Sequence, residues 1–427
     1  MRGESARDDS KARTPPALTQ QRLLGVIVTR ADTKRFTQEG GSDIPLKPVS
    51  ELRIPFNRAS VVGGELAFMA EAARSGAIAG DHIFTDRCHE LLESTLGVRR
   101  ALLTTSCTHA LEMAAIMLDL TARDEVIVPS FTFVSTASAF ALRGARIVFA
   151  DVRTDTLNID ETRLESLITS RTKAIVPVHY AGIACEMDAI LDLASRRGIA
   201  VVEDNAHGLF GKYRGRWLGT IGALGTQSFH ETKNFVCGEG GALLVNDEKY
   251  ADRAEIVREK GTDRSRFFRG EVDKYGWVDL GSSYLLSDLL AAYLFGQLSE
   301  RERIQERRRH LWRRYHAELA VWADAIGAQR PTVPESCEPS WHCYFLVLPT
   351  PDARAALARH LRERGIQAVS HYQPLHLSPM GRRFGGREGD CTVSETVSER
   401  LLRLPLFFEL GDGEQEEVIE AVACFRP

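Results

Sequence analysis

The sequence predicts an α/β fold with a large, mostly parallel sheet domain and a smaller C-terminal α+β domain. From Arg53 onward, short Val- and Ile-rich runs alternate with segments of helical periodicity, the pattern of parallel strands covered by helices on both faces. Near residue 300 this alternation gives way to a charged helical segment and a shorter block of mixed strand and helix patterns. A chain of 427 residues, 44% of them apolar, is long enough for both cores.

The predicted elements follow in a regular order. Seven apolar runs are predicted strands: R-A-L-L-T-T (100–105), E-V-I-V-P (125–129), R-I-V-F-A-D (146–151), K-A-I-V-P-V (173–178), I-A-V-V-E-D (199–204), G-T-Q-S-F (225–229) and G-A-L-L-V-N (241–246). Helices are predicted at 107–120, 134–142, 160–170 and 186–197. The charged helix covers 299–320, and after it come a strand C-Y-F-L-V-L and helices at 352–364 and 413–424.

These elements divide the chain into three parts. Residues 1–50 are polar, with P-P and E-G-G-S-D stretches, and predict a flexible N-terminal tail. We expect a large domain over 51–310 and a small domain over 311–427.

Composition excludes several classes of protein. The formal charge is −4, from 54 basic and 58 acidic residues, so no overall field points to nucleic acid or an anionic membrane. Eight scattered cysteines form no C-x-x-C pair and the histidines do not cluster, so no metal site is predicted. No apolar run approaches the roughly 20 residues of a membrane helix. We expect a soluble, cytoplasmic protein.

Polar residues follow several of the predicted strands, at the edge where α/β sheets bind ligands. Ser106, Cys107 and Thr108 open a helix, whose free N–H groups could bind phosphate. Asp204 ends a strand, and Lys233 follows the strand that ends near Ser228. Taken singly, each has a commoner interpretation, namely a helix cap, a turn residue or a solvated lysine.

Together they predict a site for pyridoxal 5'-phosphate (PLP). That cofactor needs an amine for its aldehyde, a carboxylate that keeps the pyridine nitrogen protonated, and an anchor for its phosphate. Lys233, Asp204 and the helix start at Ser106 supply these three parts.

Several longer motifs resemble the DegT/DnrJ/EryC1/StrS group of sugar aminotransferases, over nearly everything from Arg53 to Pro427. The resemblance implies the aspartate aminotransferase-like fold, fold type I of PLP-dependent transferases. The motifs that carry it are I-P-F-N (54–57), S-C-T-H-A-L-E-M-A-A (106–115), P-S-F-T-F-V-S-T-A (129–137), V-P-V-H-Y-A-G (176–182), S-F-H-E-T-K-N (228–234), E-K-G-T-D-R-S-R-F-F-R-G (259–270), V-D-K-Y-G-W (272–277) and G-S-S-Y-L-L-S-D-L (281–289).

The resemblance implies a role for each matched residue at the reacting end of the cofactor. Lys233 matches the Schiff-base lysine that also moves the proton between donor and cofactor. Asp204 matches the carboxylate under the pyridine nitrogen, and His207 its neighbour that contacts the ring or its phenolic oxygen. Some related proteins replace the lysine with histidine and dehydrate their substrate, so the lysine here implies transamination.

The remaining cofactor contacts are also implied by the resemblance. Ser228, with the backbone of Ser106 and Cys107, matches the phosphate anchor, and Phe133 matches an aromatic residue stacked on the ring. Packing in the core is the alternative for Phe133. Many members place an asparagine of the second subunit on the phosphate; here Ser283 stands in that motif, so the contact would need a shorter side chain.

The motifs further imply the substrates. We expect transfer of an amino group from L-glutamate to C4 of dTDP-4-keto-6-deoxy-D-glucose, giving dTDP-4-amino-4,6-dideoxy-D-galactose and 2-oxoglutarate. An enzyme giving the gluco epimer, or one acting at C3, stays open. Cationic and aromatic side chains are expected to meet the sugar nucleotide, with a solvated loop and structural histidines as the alternative: Arg264, Arg269, Lys274 and Tyr275, with His371 and His376 from the small domain.

Two other classes compete with this interpretation. A non-catalytic nucleotide-sugar-binding regulator on the same fold would not need Lys233 and Asp204, which this chain retains. An NAD-dependent oxidoreductase would need G-x-G-x-x-G after the first strand, where T-T-S-C-T-H stands. The resemblance also implies a homodimer with active sites at the subunit interface.

Overall fold

The structure, a computed structural model, describes residues 52–426. The predicted tail over residues 1–50 therefore lies outside the described residues. All described residues belong to one compact unit. No helix among them is long and apolar enough to cross a membrane.

A seven-stranded sheet organises the larger part of the molecule. Its strands, with three short ones that lie elsewhere, are β1 (Arg100–Thr104), β2 (Glu125–Pro129), β3 (Arg146–Ala150), β4 (Thr172–Ile175), β5 (Ala200–Asp204), β6 (Lys212–Tyr213), β7 (Arg216–Trp217), β8 (Leu224–Ser228), β9 (Gly241–Val245) and β10 (Cys337–Glu338). The order in the large sheet is β1-β9-β8-β5-β4-β2-β3, while β10, β6 and β7 form a small separate sheet. The seven predicted strands are confirmed.

One strand of the large sheet departs from a purely parallel arrangement. β9 runs antiparallel to both of its neighbours, β1 and β8, whereas β8, β5, β4, β2 and β3 pair in parallel. The reason is the connection: residues 229–240 join β8 to β9 directly, and a parallel pair would need a crossover, usually a helix. This direct connection is the stretch that contains Lys233.

Helices cover the sheet on both faces. They are α1 (Glu65–Ser75), α2 (Ile83–Leu96), α3 (Cys107–Met117), α4 (Ser135–Ala141), α5 (Leu164–Leu167), α6 (Met187–Arg197), α7 (Ala251–Arg258), α8 (Arg264–Phe268) and α9 (Asp288–Ser299). Alternate strand residues divide between the two faces, since Leu102 and Val126 pack with α3 while Ala101 and Leu103 pack with α2 and α9. The helices cover the two faces of the sheet and not the edge at which its strands end.

The C-terminal part has its own apolar core. It contains α10 (Arg301–Glu318), α11 (Ala320–Ile326), β11 (Tyr344–Val347), α12 (Pro351–Glu363), α13 (Pro379–Arg383), α14 (Thr392–Arg400), β12 (Leu401–Leu404) and α15 (Asp412–Ala423). β11 and β12 pair antiparallel, and their inward side chains pack against α10, α12 and α15. The predicted boundary at residue 310 falls inside α10, and a division into two domains stays a prediction.

Candidate active site

A cavity of about 730 Å³ lies at the carboxyl ends of β5 and β8. These strands are parallel neighbours, with Asp204 beside Thr226, so their last residues meet at one edge of the sheet. The cavity wall includes Ser106, Cys107, Asp204, His207, Ser228 and Lys233. The structure therefore brings the three predicted parts of the cofactor site into one space.

Volume alone does not identify this cavity as the site. Two clefts of about 670 and 740 Å³ lie beside α10, and Trp341 lines both of them. Neither contains the strand-end residues, and no group of three or more metal-ligating side chains occurs among the described residues. The chemistry of its wall singles out the cavity at β5 and β8.

Lys233 is held on the loop between β8 and β9. Its N–H donates to the carbonyl of His230 at 2.9 Å, and the loop is anchored by Phe229, Phe235 and Cys237, all buried. Burial lowers the pKa of the Lys233 amine from its ordinary value, although the nearby Cys107 and Asp204 oppose this shift. A lowered pKa increases the fraction of unprotonated amine that can act as a nucleophile or base.

Asp204 is buried and fixed from two sides. Its Oδ2 accepts a hydrogen bond from the hydroxyl of Thr136 at 2.7 Å, and its Oδ1 accepts one from the N–H of Ala206 at 3.2 Å. Thr136 gives its only hydroxyl proton to Asp204, so the 2.9 Å contact between Thr132 and Thr136 has Thr132 as the donor. This chain of donors orients the carboxylate at the strand end.

His207 lies in a stack of rings above the sheet edge. Its ring is 4.2 Å from that of His342, at an interplanar angle of 22°, and 6.2 Å from that of His371. Nδ1 accepts from the backbone N–H of Ala181 at 3.3 Å, which leaves the proton of the neutral ring on Nε2. Burial, with the charge of Lys233, holds the pKa of His207 well below its ordinary value. A neutral His207 is thus an Nε2–H donor.

The start of α3 forms the other end of the cavity. Gly241 of β9 lies against it so closely that a Cβ there would be 2.4 Å from the nitrogen of Cys107. The side chain of Ser106 caps the helix by accepting from the N–H of His109 at 3.1 Å. Burial raises the pKa of the Cys107 thiol, which therefore stays neutral. Ser228 closes this end from β8.

These residues fit PLP in the number and type of their groups. The cavity volume lies within the usual range of about 300–1,000 Å³ for small-molecule sites. An amine, a buried carboxylate and a helix N-terminus with a neighbouring hydroxyl all face it. Each corresponds to one part of the cofactor: aldehyde, pyridine nitrogen and phosphate.

Phe133 also lines the cavity. Its side chain is 58% exposed, so core packing, the alternative considered from the sequence, does not describe it. Its ring is 6.3 Å from that of Tyr372. Stacking of Phe133 on the cofactor ring stays a prediction.

Other predicted residues lie outside the cavity. Ser283 is exposed, and its backbone bridges to Glu259 rather than reaching the cavity. The basic segment, defined here as residues 264–277, is also outside. Within it Arg264 is bonded to Glu259, Arg269 to Glu255 and Glu271, and Lys274 and Tyr275 are exposed.

His376 was expected to contact the sugar, and the structure does not place it in the cavity wall. Its ring is fully buried, with Nδ1 2.6 Å from the hydroxyl of Ser130 and Nε2 2.8 Å from Glu395. Because both nitrogens are engaged by the protein, the ring fixes the 375–377 turn and has no atom facing the cavity. Its neighbour in the same motif, His371, does line the cavity.

The sequence did not indicate two further wall residues. His342 precedes β11 and donates from Nδ1 to Asn234, the residue after Lys233, at 2.9 Å. Arg403 projects from β12. The only feature of the sequence that could have indicated Arg403 is its charge inside the apolar run L-L-R-L-P-L. No feature of the sequence indicates His342.

The chain is similar in sequence to known proteins. The sequence model of the DegT/DnrJ/EryC1/StrS aminotransferase family matches residues 64–423. The spore coat polysaccharide biosynthesis protein SpsC of Bacillus subtilis is 35% identical over 335 residues, which are 77% of this chain and 85% of SpsC. The uncharacterized protein MJ1066 of Methanocaldococcus jannaschii is 34% identical over 345 residues, 79% of this chain and 89% of that protein.

Solved structures share the fold. Spr1654 of Streptococcus pneumoniae, in its PLP form, superimposes with a TM-score of 0.80 at 26% identity, covering 87% of this chain and 97% of Spr1654. Its PMP form, with pyridoxamine phosphate, gives a TM-score of 0.81 over 87% of this chain and 98% of Spr1654. The fold predicted from the sequence is confirmed.

Proposed function

The chain belongs to the DegT/DnrJ/EryC1/StrS aminotransferase family, and from this premise we propose that it moves an amino group from L-glutamate to C4 of dTDP-4-keto-6-deoxy-D-glucose. The products are dTDP-4-amino-4,6-dideoxy-D-galactose and 2-oxoglutarate. It is a PLP-dependent sugar aminotransferase. One observation supports the amino-transfer part of the proposal: Lys233 and Asp204 face a single cavity that also contains the start of α3.

PLP, when bound, supplies an electron sink for the negative charge left on the donor carbon. Asp204, held by Thr136 and Ala206, keeps a proton on the pyridine nitrogen. Ser228 and the N–H groups at the start of α3 bind the phosphate. His207 offers its Nε2–H to the ring oxygen.

Lys233 is the acid and base of the reaction. Its Nζ would take the proton from Cα of the amino donor and, in the second half of the cycle, would deliver a proton to C4 of the sugar. A buried amine with a lowered pKa suits this role, because a larger fraction of it is unprotonated at a given pH than of a solvated lysine.

The substrate is supported by the long motifs that surround the site, S-F-H-E-T-K-N above all. We propose that Ser283 and the basic segment lie at the cavity of a second subunit, so that the protein is a homodimer. We also propose that it acts in the cytoplasm. Both regions are exposed in the described chain, and the segment ends in exposed aromatic residues, Tyr275 and Trp277. A dimer would use this surface.

Product stereochemistry tests the proposal. Purified enzyme is incubated with PLP, L-glutamate and dTDP-4-keto-6-deoxy-D-glucose, and the amino sugar is identified by NMR. We expect an axial amine at C4, the galacto product. An equatorial C4 amine, an amine at C3, or no amino sugar at all would each contradict the assignment.

A further inference from the structure

Arg308 is a charged residue on the buried face of α10. The other buried residues of this face are apolar or aromatic, namely Ile304, Leu311, Trp312 and Tyr315. Arg308 is 3% exposed and, among residues 52–426, forms no ion pair within 4 Å. Burial lowers the pKa of its guanidinium to about 10, which leaves it charged at neutral pH. A buried charge without a counter-charge costs free energy, so an arginine on this face needs a reason other than packing.

The side chain of Arg308 binds backbone carbonyl groups. Nε donates to the carbonyl of Trp341 at 3.1 Å, and Nη2 donates to those of His342 and Leu406. Trp341 and His342 come just before β11, and Leu406 comes just after β12. Trp341 has a φ of 60°, a left-handed conformation that a residue with a Cβ keeps only where its surroundings hold it. Arg308 therefore fixes the backbone of Trp341 and of the residue that follows it.

The 340–342 segment, which consists of Ser340, Trp341 and His342, is bonded to the loop that carries Lys233. His342 donates from Nδ1 to Oδ1 of Asn234 at 2.9 Å, and Asn234 donates from Nδ2 to the carbonyl of Ser340 at 2.7 Å. Asn234 directly follows Lys233. Two hydrogen bonds thus connect the segment to the residue beside the lysine.

The same segment is bonded to His207. The hydroxyl of Ser340 donates to the carbonyl of His207, and the ring of His342 lies 4.2 Å from the ring of His207. The N–H of Ser340 donates to the carbonyl of Gly182 at 3.1 Å. A Cβ at Gly182 would be 1.9 Å from the hydroxyl oxygen of Ser340, so the two chains are in close contact there. One short segment therefore contacts both His207 and the loop of Lys233.

We propose that Arg308 positions Lys233 and His207 for the reaction by holding the 340–342 segment. This inference rests on the proposed aminotransferase function, in which these two residues act on the cofactor and the amino donor. Arg308 does not line the cavity of the site, so it acts through the segment and not by contact. It borders, with Lys233 and Asn234, a small gap of about 10 Å³ on the other side of the lysine loop.

The geometry explains why this position carries an arginine. A guanidinium has five N–H donors in one plane, and two of its nitrogens already meet three carbonyl groups from two connections of the C-terminal part. The ammonium group of a lysine has three donors on a single nitrogen and cannot reproduce that spread. The alternative is that Arg308 only stabilises the fold, in which case its loss would lower the Tm and leave the rates of the folded enzyme unchanged.

The first test uses the half-reaction with L-glutamate, which needs no sugar. Holoenzyme is mixed with L-glutamate, and the absorbance change from PLP to PMP gives the donor Kd and the limiting rate. For Arg308→Met we expect the limiting rate to fall about 10²-fold, the effect of a misplacement of about 1 Å. The donor Kd should stay within about threefold, because Arg308 does not line the cavity. Arg308→Lys keeps the charge and part of the donor set, and should recover part of the rate.

The second test needs no cofactor. The buried Nδ1–H of His342, donated to Asn234, should give a slowly exchanging imidazole signal in the NMR spectrum of apoenzyme labelled with [15N]histidine. Its loss in His342→Gln identifies the signal. We expect Arg308→Met to expose this proton to exchange and Arg308→Lys to keep it partly protected. A residue that only stabilised the fold would leave the signal protected in the folded variant.

A double-mutant cycle tests the route from Arg308 to the lysine. Asn234→Ala removes the link between the 340–342 segment and the residue beside Lys233. If Arg308 acts through that link, Arg308→Met should slow the half-reaction less in the Asn234→Ala background than in the wild-type protein. Equal slowing in the two backgrounds would contradict the proposed route.

Arg309→Met is the matched control. Arg309 is the next residue of α10 and pairs with Glu306 of the same helix, at the surface. This variant should leave the limiting rate, the donor Kd and the His342 signal unchanged. A wild-type limiting rate or a protected His342 signal in folded Arg308→Met would overturn the inference. If Arg308→Met does not fold, wild-type values in Arg308→Lys would overturn it as well.

Failure of the proposed function has a different signature. A wild-type holoenzyme that does not convert PLP to PMP with L-glutamate would defeat the proposed function. The His342 signal of the apoenzyme would still show whether Arg308 holds the 340–342 segment, because that measurement involves neither cofactor nor substrate.

Discussion

The sequence predicts ligand binding in two regions, the carboxyl ends of β5 and β8 and the basic segment. The structure gives these two regions different surroundings. At the strand ends, Asp204, Ser228 and Lys233 line one cavity. In the basic segment, Arg264 and Arg269 are bonded to glutamates of their own chain and stay at the surface. Charged residues in a motif thus form a site in one region and an ion-pair network in the other.

The difference comes from what positions each set of side chains. Strand ends are placed by backbone pairing, since β5 and β8 are parallel neighbours and their last residues must lie together. The only regular element in the basic segment is one short helix, α8. The arginine side chains of the segment therefore pair with nearby carboxylates. The following substitutions test this comparison, beginning with the largest expected effect.

Lys233→Arg should abolish turnover. Arginine keeps the positive charge but stays protonated, so it can neither take the aldehyde of PLP nor move the Cα proton. We expect kcat to fall by at least about 10²–10⁴-fold, the range that a positioned acid or base supplies. Steady-state kinetics with glutamate and the keto sugar measure this change.

Lys249→Arg is the matched control for that experiment. Lys249 is exposed and paired with Asp247 at 2.8 Å, and it is not part of the cavity wall. Its variant should retain full activity. Turnover by Lys233→Arg close to that of the control would remove the mechanism.

Asp204→Asn should be the next most damaging change. Asparagine preserves shape but cannot hold a proton on the pyridine nitrogen, so we expect kcat to fall about 10²–10³-fold, as for loss of one preorganised electrostatic partner. The cofactor should still bind through Lys233, which its visible absorbance reports. Unchanged kcat with normal cofactor content would show that Asp204 is only a structural residue.

Thr136→Val tests the support beneath that carboxylate. Valine removes the buried donor 2.7 Å from Asp204, and a hydrogen bond to a charged group contributes about 1.5–3 kcal/mol. We expect kcat to fall about 10- to 150-fold, each 1.36 kcal/mol of barrier being a factor of ten. Thr136→Ser keeps the hydroxyl and should recover most of the activity. Equal loss in both variants would mean that packing, and not the hydrogen bond, matters there.

The residues that could be predicted from the sequence are those placed by strand pairing, and the residues that could not are those placed by later packing. Asp204 and Lys233 could be predicted because the ends of neighbouring strands meet by topology. The α/β class follows from apolar periodicity, whereas fold type I was implied by the family resemblance. Arg403 and His342 reach the cavity only after β11 and β12 dock, and no local pattern encodes that docking. His371 and His376 stand in one motif, yet only packing against Ser130 and Glu395 decides that His376 turns inward.

The smallest effects are expected in the basic segment, where two cations can be compared directly. Lys274 is exposed and forms no ion pair with any residue of the described 52–426 range, so it is free to meet a sugar diphosphate in a dimer. Exposed ion pairs contribute about 0.2–1 kcal/mol, and Lys274→Gln should therefore raise the KM of the keto sugar no more than about fivefold. Arg269 already contacts Glu255 and Glu271, each at 2.7 Å, and Arg269→Gln should leave that KM nearly unchanged. A larger rise for Arg269→Gln than for Lys274→Gln would mean that Arg269 exchanges its glutamates for the substrate, which would make the basic segment a binding site in the same sense as the strand ends.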